Sequence, residues 1–313
     1  MNKDEYLTGK DYHIQIIPLG RFISESEITL GVCKIRKLKE SEKQIISNSP
    51  AFQLAWSEAF QIDLNTVSFV IESSLSDSLL AYDVISALRV FKAEAVKDLP
   101  HMTLHMRNGD IINVSGCQFW GSLIENGAAY TLSEEEAKKF EKFWNSFSKV
   151  LSFSYMRIAV DRFSYTYRKG FRGDNLVDYV IVLEALFSES SESIGSKLRY
   201  RIPIFVGIDT STDARKKIRD YISTAYKIRS GIVHGSGTWE NLIRGEMKKL
   251  SKKLDLGEIN FSTYFLPEIR EIVRMAIYRF VILTSHGIEK SSILQIIDDA
   301  LLNGDAENYL RTL

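Results

Sequence analysis

The chain has 313 residues, 45% of them apolar, enough to bury a sizeable core and, at roughly 150 residues per domain, to make about two domains. Its 40 Lys and Arg balance 40 Asp and Glu, which excludes a global pull toward nucleic acid or anionic membrane, so any polyanion site has to be local. The opening MNKDEYLTGKDYHIQ lacks the apolar core of a signal peptide, and no window nears about 18 uninterrupted apolar residues; the expectation is a cytoplasmic protein with no membrane partner.

In chain order, DYHIQIIPLG, EITLGVCKIRKL, TVSFVIESS, HMTLHMRNGDIINVSG and CQFWGSLI are short, rich in β-branched residues and separated by Gly, Asn and Asp, which predicts strands. SPAFQLAWSEAF and LLAYDVISALRVFKAEAV between them have the three-to-four spacing of amphipathic helices. The first part thus reads as an α+β domain over 1–130. Cys33 and Cys117 are too few for a disulfide scaffold or a cysteine-rich zinc site and read as buried thiols.

At YTLSEEEAKKFEKFW the pattern changes: Ser133 and Glu136 have the spacing of a capping box, and helical periodicity follows. Helices are predicted at about 134–167, 174–188, 194–207, 212–233, 263–286 and 290–302, giving an all-α bundle over 131–313. In the helix TDARKKIRDYISTAYKIRSGIVHG, Ile218, Ile222, Ala225 and Ile232 share a stripe, and Arg229, three full turns after Ile218, falls on it. His234 lies five residues on, about 140° around an ideal helix, so Arg229 and His234 converge only if Gly231 and Gly235 loosen the helix or a two-fold mate supplies the second group. The alternative is a structural role, Arg229 in a buried ion pair and His234 at the helix C-terminus.

Between Lys197 and Lys253 there are fourteen Lys or Arg against five Asp or Glu, an excess of nine (14 − 5) in a neutral chain. This is either a local polyanion surface or a solvated face kept for solubility. Upstream, DRFSYTYRKGFRG interleaves Arg162, Arg168 and Arg172 with Phe163, Tyr165, Tyr167 and Phe171, a pattern that suits stacking on bases or packing at a helix end. His101 and His105 in HMTLHM lack the helix and adjacent Glu of a zinc protease. On a strand, positions four apart are about 13 Å apart, too far to share one ion, so no metal site is expected.

Three segments in fixed order, DNLVDYVIVLEALFS, KLRYRIPIFVG and YKIRSGIVHG, together resemble the Apea-like group of the HEPN superfamily over about residues 150–290. The resemblance implies a HEPN-type helical bundle that usually dimerises and, in active members, cuts RNA without metal or cofactor, often in antiviral defence or as a toxin. The family's Arg-x4–6-His motif falls on Arg229 and His234, with Ser230 as the polar residue after the arginine. A nucleotidylated branch of the family carries Tyr two residues after the histidine, where this chain has Ser236.

RNA carries its own nucleophile, the 2′-hydroxyl, so a nuclease of this kind needs only a proton-transfer group and a cation for the pentavalent phosphorane. Imidazole, titrating near pH 6.5 when unperturbed, and the fork-shaped guanidinium supply both, with a 2′,3′-cyclic phosphate and a 5′-hydroxyl as products. Ser230 would orient the phosphate or the imidazole, and Tyr226, one turn earlier, would support it. Glu184, with Asp178 one and a half turns earlier, would hold Arg229; an equal reading pairs Glu184 with Arg199 or Arg201. Arg199, Arg201 and Lys227 are the expected RNA contacts. The competing expectation is a non-catalytic HEPN module in which the same residues bind RNA or a nucleotide or fix a homodimer.

Overall fold

A computed structural model describes residues 11–56, 64–94, 96–99, 101–118, 129–167, 172–189, 193–235 and 238–312. The chain divides into two compact units, Met1–Asn145 and Ser146–Leu313. The division falls inside a helix, where the sequence placed it ahead of that helix.

The first unit contains β1 (Tyr12–Gly20), β2 (Phe22–Ser24), β3 (Ile28–Leu30), β4 (Cys33–Lys37), α1 (Glu40–Ser47), α2 (Pro50–Trp56), β5 (Val67–Ser74), α3 (Ser78–Phe91), β6 (Lys97–Asp98), β7 (His101–Arg107), β8 (Asp110–Gln118) and β9 (Tyr130–Leu132). The main sheet runs β3-β4-β5-β1-β7-β8, with antiparallel pairing throughout and β6 closing on the end of β1; β2 and β9 form a small parallel pair. Both Ile16 and Ile17 are buried, because the sheet is covered on both faces and alternate side chains point opposite ways. Ile16, Val70, Met102, Leu104 and Val114 share one core with Ile46 of α1, whereas α3 lies over β5. Cys33 is buried, which pushes its thiol up to about 12; the side chain of Cys117 and most of CQFWGSLI lie outside the described residues.

The expected capping box forms at the start of α4 (Glu134–Val150): the Ser133 amide donates to Glu136 Oε2 at 3.0 Å, and the Glu136 amide donates to Ser133 Oγ at 3.2 Å. The long helix expected to residue 167 is interrupted. Ser152 Oγ donates back to the Lys149 carbonyl, Phe153 is extended, and a new helix, α5 (Ser154–Tyr165), begins.

The second unit is helical: α5, α6 (Arg172–Phe187), α7 (Ile194–Val206), α8 (Thr212–Val233), α9 (Trp239–Leu254), a single π turn at Phe261–Phe265, α10 (Leu266–Ser285), α11 (Lys290–Ala300) and α12 (Gly304–Thr312). Helix α6 is the central one. Leu176, Tyr179, Val180, Val182, Leu183, Leu186 and Phe187 bury it nearly all round, and it packs on α5, α7, α8 and α10. Phe187, Phe205 of α7 and Phe280 of α10 close the core as a three-ring cluster with centroids 5.0–5.5 Å apart. Helices α9 and α12 were not expected. Trp239, Ile243, Met247 and Leu250 do carry helical spacing, but they sit within the basic run.

Helices α7 and α8 meet at Gly195, where an added Cβ would stand 2.7 Å from the ring of Tyr226. Only a residue without a side chain lets the two backbones approach this far. Gly195→Ala is expected to destabilise the protein by about 1–3 kcal/mol, and by less in a Tyr226→Ala background, measured as a urea double-mutant cycle.

Candidate functional site

Helix α8 starts on a side-chain cap, with the Ala214 amide donating to Ser211 Oγ at 3.2 Å, and continues without a break past Gly231 to Val233, with His234 as its C-cap. Its buried stripe is Tyr221, Ile222, Ala225 and Ile228, and Arg229 lies half-buried at the stripe's edge. There it meets α6, and Arg229 Nη2 donates to Glu184 Oε2 at 3.1 Å. Among the alternatives the sequence left open for Glu184, the structure selects Arg229. The reason is burial: a carboxylate on the central helix needs a counter-charge, and Arg229 is the cation that α8 turns toward α6. The Arg229 Nε is buried and has no acceptor among the described residues.

The two groups at the head of the motif leave the helix axis in different directions. Because α8 stays regular, the five-residue step carries His234 about 140° around the axis from Arg229. His234 is exposed at the helix end, its amide donating to the Ser230 carbonyl at 3.0 Å. Gly235 follows with a φ of +65°, ending the helix; Ser236 and Gly237 lie outside the described residues. Ser230 is half-buried beside Arg229, and Tyr226, one turn earlier, lies against Gly195.

Three of the expected residues have partners inside the helical unit. Asp178 is not brought to Arg229, because six residues on a helix put it about 120° from Glu184; its Oδ1 accepts from Arg162 Nη1 at 3.1 Å. Arg201 is held within the helical unit. It is engaged bidentately by Asp298 of α11 at 2.7 and 2.6 Å and donates to the Phe187 carbonyl at 2.6 Å, stapling three helices. Arg199 is exposed but has its Nε on the Gly195 carbonyl at 3.0 Å, whereas Lys227 is exposed and forms no ion pair among the described residues.

The interleaved aromatics also resolve. Phe163 and Tyr167 are core residues, 5.6 Å apart edge to face, so they cannot stack on bases; Tyr165 alone is exposed, and Arg168 and Phe171 lie outside the described residues. His101 and His105 stand on strand β7, bonded to Tyr82 and Ser115 respectively, and among the described residues no group of three or more His, Cys, Asp or Glu is placed to hold a metal ion. No helix of the described residues is long and apolar enough to cross a membrane. What sequence reasoning missed is α9, which packs Leu242 against α8 at Gly231 and forms one wall of a cleft with the Asn260–Ser262 turn.

Burial raises the Glu184 carboxyl above its ordinary value of 4.5, and the Arg229 charge pulls it partly back. Folded Glu184 therefore keeps its proton to higher pH than the unfolded chain does, so this group favours folding at low pH and opposes it as pH rises above about 4.5. In Arg229→Met, carboxyl NMR is expected to show the Glu184 midpoint climbing further. In Glu184→Gln, the fall in unfolding free energy with rising pH through that window is expected to flatten.

Compared with protein-family models, with curated proteins and with solved structures, the chain finds no match.

Proposed function

We propose that the protein is a cytosolic endoribonuclease of HEPN type that cleaves RNA by attack of its own 2′-hydroxyl, without a metal ion, and that it does so as a homodimer. The observation that carries this reading is the state of Arg229. Glu184 holds one corner of the guanidinium, while its buried Nε has no acceptor. An unsatisfied buried donor costs about 1–3 kcal/mol, and an arriving phosphate oxygen, reached by a small shift of the fork, removes that cost.

His234 supplies the proton transfer. It is exposed at the end of the same helix, open to solvent and able to accept the 2′-hydroxyl proton. Since the two side chains leave α8 in different directions, one active centre takes Arg229 from one protomer and His234 from its two-fold mate. Ser230, next to the arginine, orients the phosphate, and Tyr226 packed on Gly195 keeps that turn of α8 in place. The 2′-oxygen gives its proton to His234 and bonds to phosphorus, the 5′-oxygen of the next nucleotide leaves and takes a proton from water, and a 2′,3′-cyclic phosphate remains. A role in antiviral defence or as a toxin accords with this activity.

His234→Ala is expected to slow RNA cleavage in EDTA by at least about 100-fold with an unchanged circular dichroism spectrum. Arg229→Ala should lose as much. Mixed and re-equilibrated, the two inactive variants are expected to regain about a quarter of the parent rate, because half the dimers are mixed and each of those has one complete centre. No recovery on mixing would place both groups in one chain.

The separation of Arg229 from His234 in a single chain also suits a second reading, a non-catalytic module that binds RNA or a nucleotide. A parent protein that binds RNA, and leaves it uncut at every pH and with added Mg²⁺, selects that reading.

A further inference from the structure

Beside the end of α8, a cleft of about 600 Å³ opens between α9 and the segment that leads into α10. That volume is in the range of a small-molecule site. Its wall is built from the stripe that α9 would otherwise leave without a partner. Trp239 and Phe261 meet edge to face at 5.7 Å and 88°, and Met247 lies buried below them. One position further around the helix, Arg244 and Lys248 stand a turn apart, both exposed and neither in an ion pair among the described residues. They differ in this from other cations of the basic run, among them Arg201 paired with Asp298, Arg215 with Glu307, Lys249 with Glu246 and Lys253 with Asp220.

We propose that this cleft binds a nucleotide of single-stranded RNA, its base against Trp239 and Phe261 and its phosphate on Arg244 and Lys248. An aromatic wall with adjacent unpaired cations is the arrangement that single strands use, since every base offers a π-face and every linkage a charge. Glu240 and Glu258 also line the cleft. Carboxylates repel phosphate, but they accept hydrogen bonds from the exocyclic amino groups of bases, so they suit the base end and favour adenine or cytosine over uracil. The choice of RNA rests on the ribonuclease reading.

The test uses the full chain and an uncleavable 2′-O-methyl oligoadenylate pentamer carrying a 3′-fluorescein, followed by fluorescence anisotropy. The parent is expected to bind it with a rise in anisotropy. Trp239→Leu should weaken binding at least about five-fold, and the double variant Arg244→Gln/Lys248→Gln should weaken it and flatten its salt dependence, whereas Lys252→Gln, on α9 outside the cleft, leaves it unchanged. The exposed Arg244 and Lys248 keep the test valid if Trp239→Leu fails to fold. Affinity indifferent to the double variant overturns the proposal, as does displacement of the pentamer by an oligoglutamate of equal length, which assigns the cleft to an acidic protein partner. Cleavage of ordinary RNA, measured alongside, separates the two readings. A parent that binds through the cleft and cuts nothing refutes the ribonuclease and leaves the cleft; a parent that cuts RNA while binding ignores both cleft variants refutes the cleft alone.

Discussion

The ion pair between Glu184 and Arg229 is the constraint around which the helical unit is arranged. Helix α6 is apolar on nearly every side because it is the helix that the others surround, and a carboxylate on such a helix has to be met by a cation. Both carboxylates in its buried part are met: Asp178 by Arg162 of α5, and Glu184 by Arg229 of α8. These two pairs tie the central helix to its neighbours at two heights and on different faces. With the Phe187, Phe205 and Phe280 cluster and the Arg201 staple to Asp298, they fix which way α8 presents its last two turns.

From that orientation the site's division of labour follows. The guanidinium is half-buried, pre-oriented and short of one acceptor, whereas the imidazole stands in solvent where the helix ends. A continuous helix sends them off different sides of its axis. Pre-orientation of the charged group at little entropic cost is the physical gain of placing it against Glu184.

The basic excess between Lys197 and Lys253 looked like one surface, and tertiary packing divides it. Several of those cations hold helices together: Arg215 bridges α8 to α12 through Glu307, and Lys253 of α9 reaches back to Asp220 of α8. Lysine and arginine kept for such bridges contribute little field at the surface. Part of the charge left over, Arg244 and Lys248, stands on α9 beside an aromatic cleft, and this makes local charge there a better guide to ligands than the sum over the run.

Several features are determined locally and were legible in the sequence: the strand order of residue types in the first unit, the capping box at Ser133 and Glu136, and the bounds of α7 and α8. Periodicity and side-chain caps act over one or two turns, and that is the range over which a sequence can be read directly. The break at Ser152 and helix α9 were legible in principle but were masked, the first by continuous helical composition and the second by its lysines. Only tertiary structure decided that Glu184 takes Arg229 while Asp178 takes Arg162, that Arg201 is spent on Asp298, and that Phe163 and Tyr167 face the core. Each of those outcomes depends on which residue a neighbouring helix turns toward a buried charge or an open space, across separations of up to 97 positions in the chain, and no local pattern encodes it.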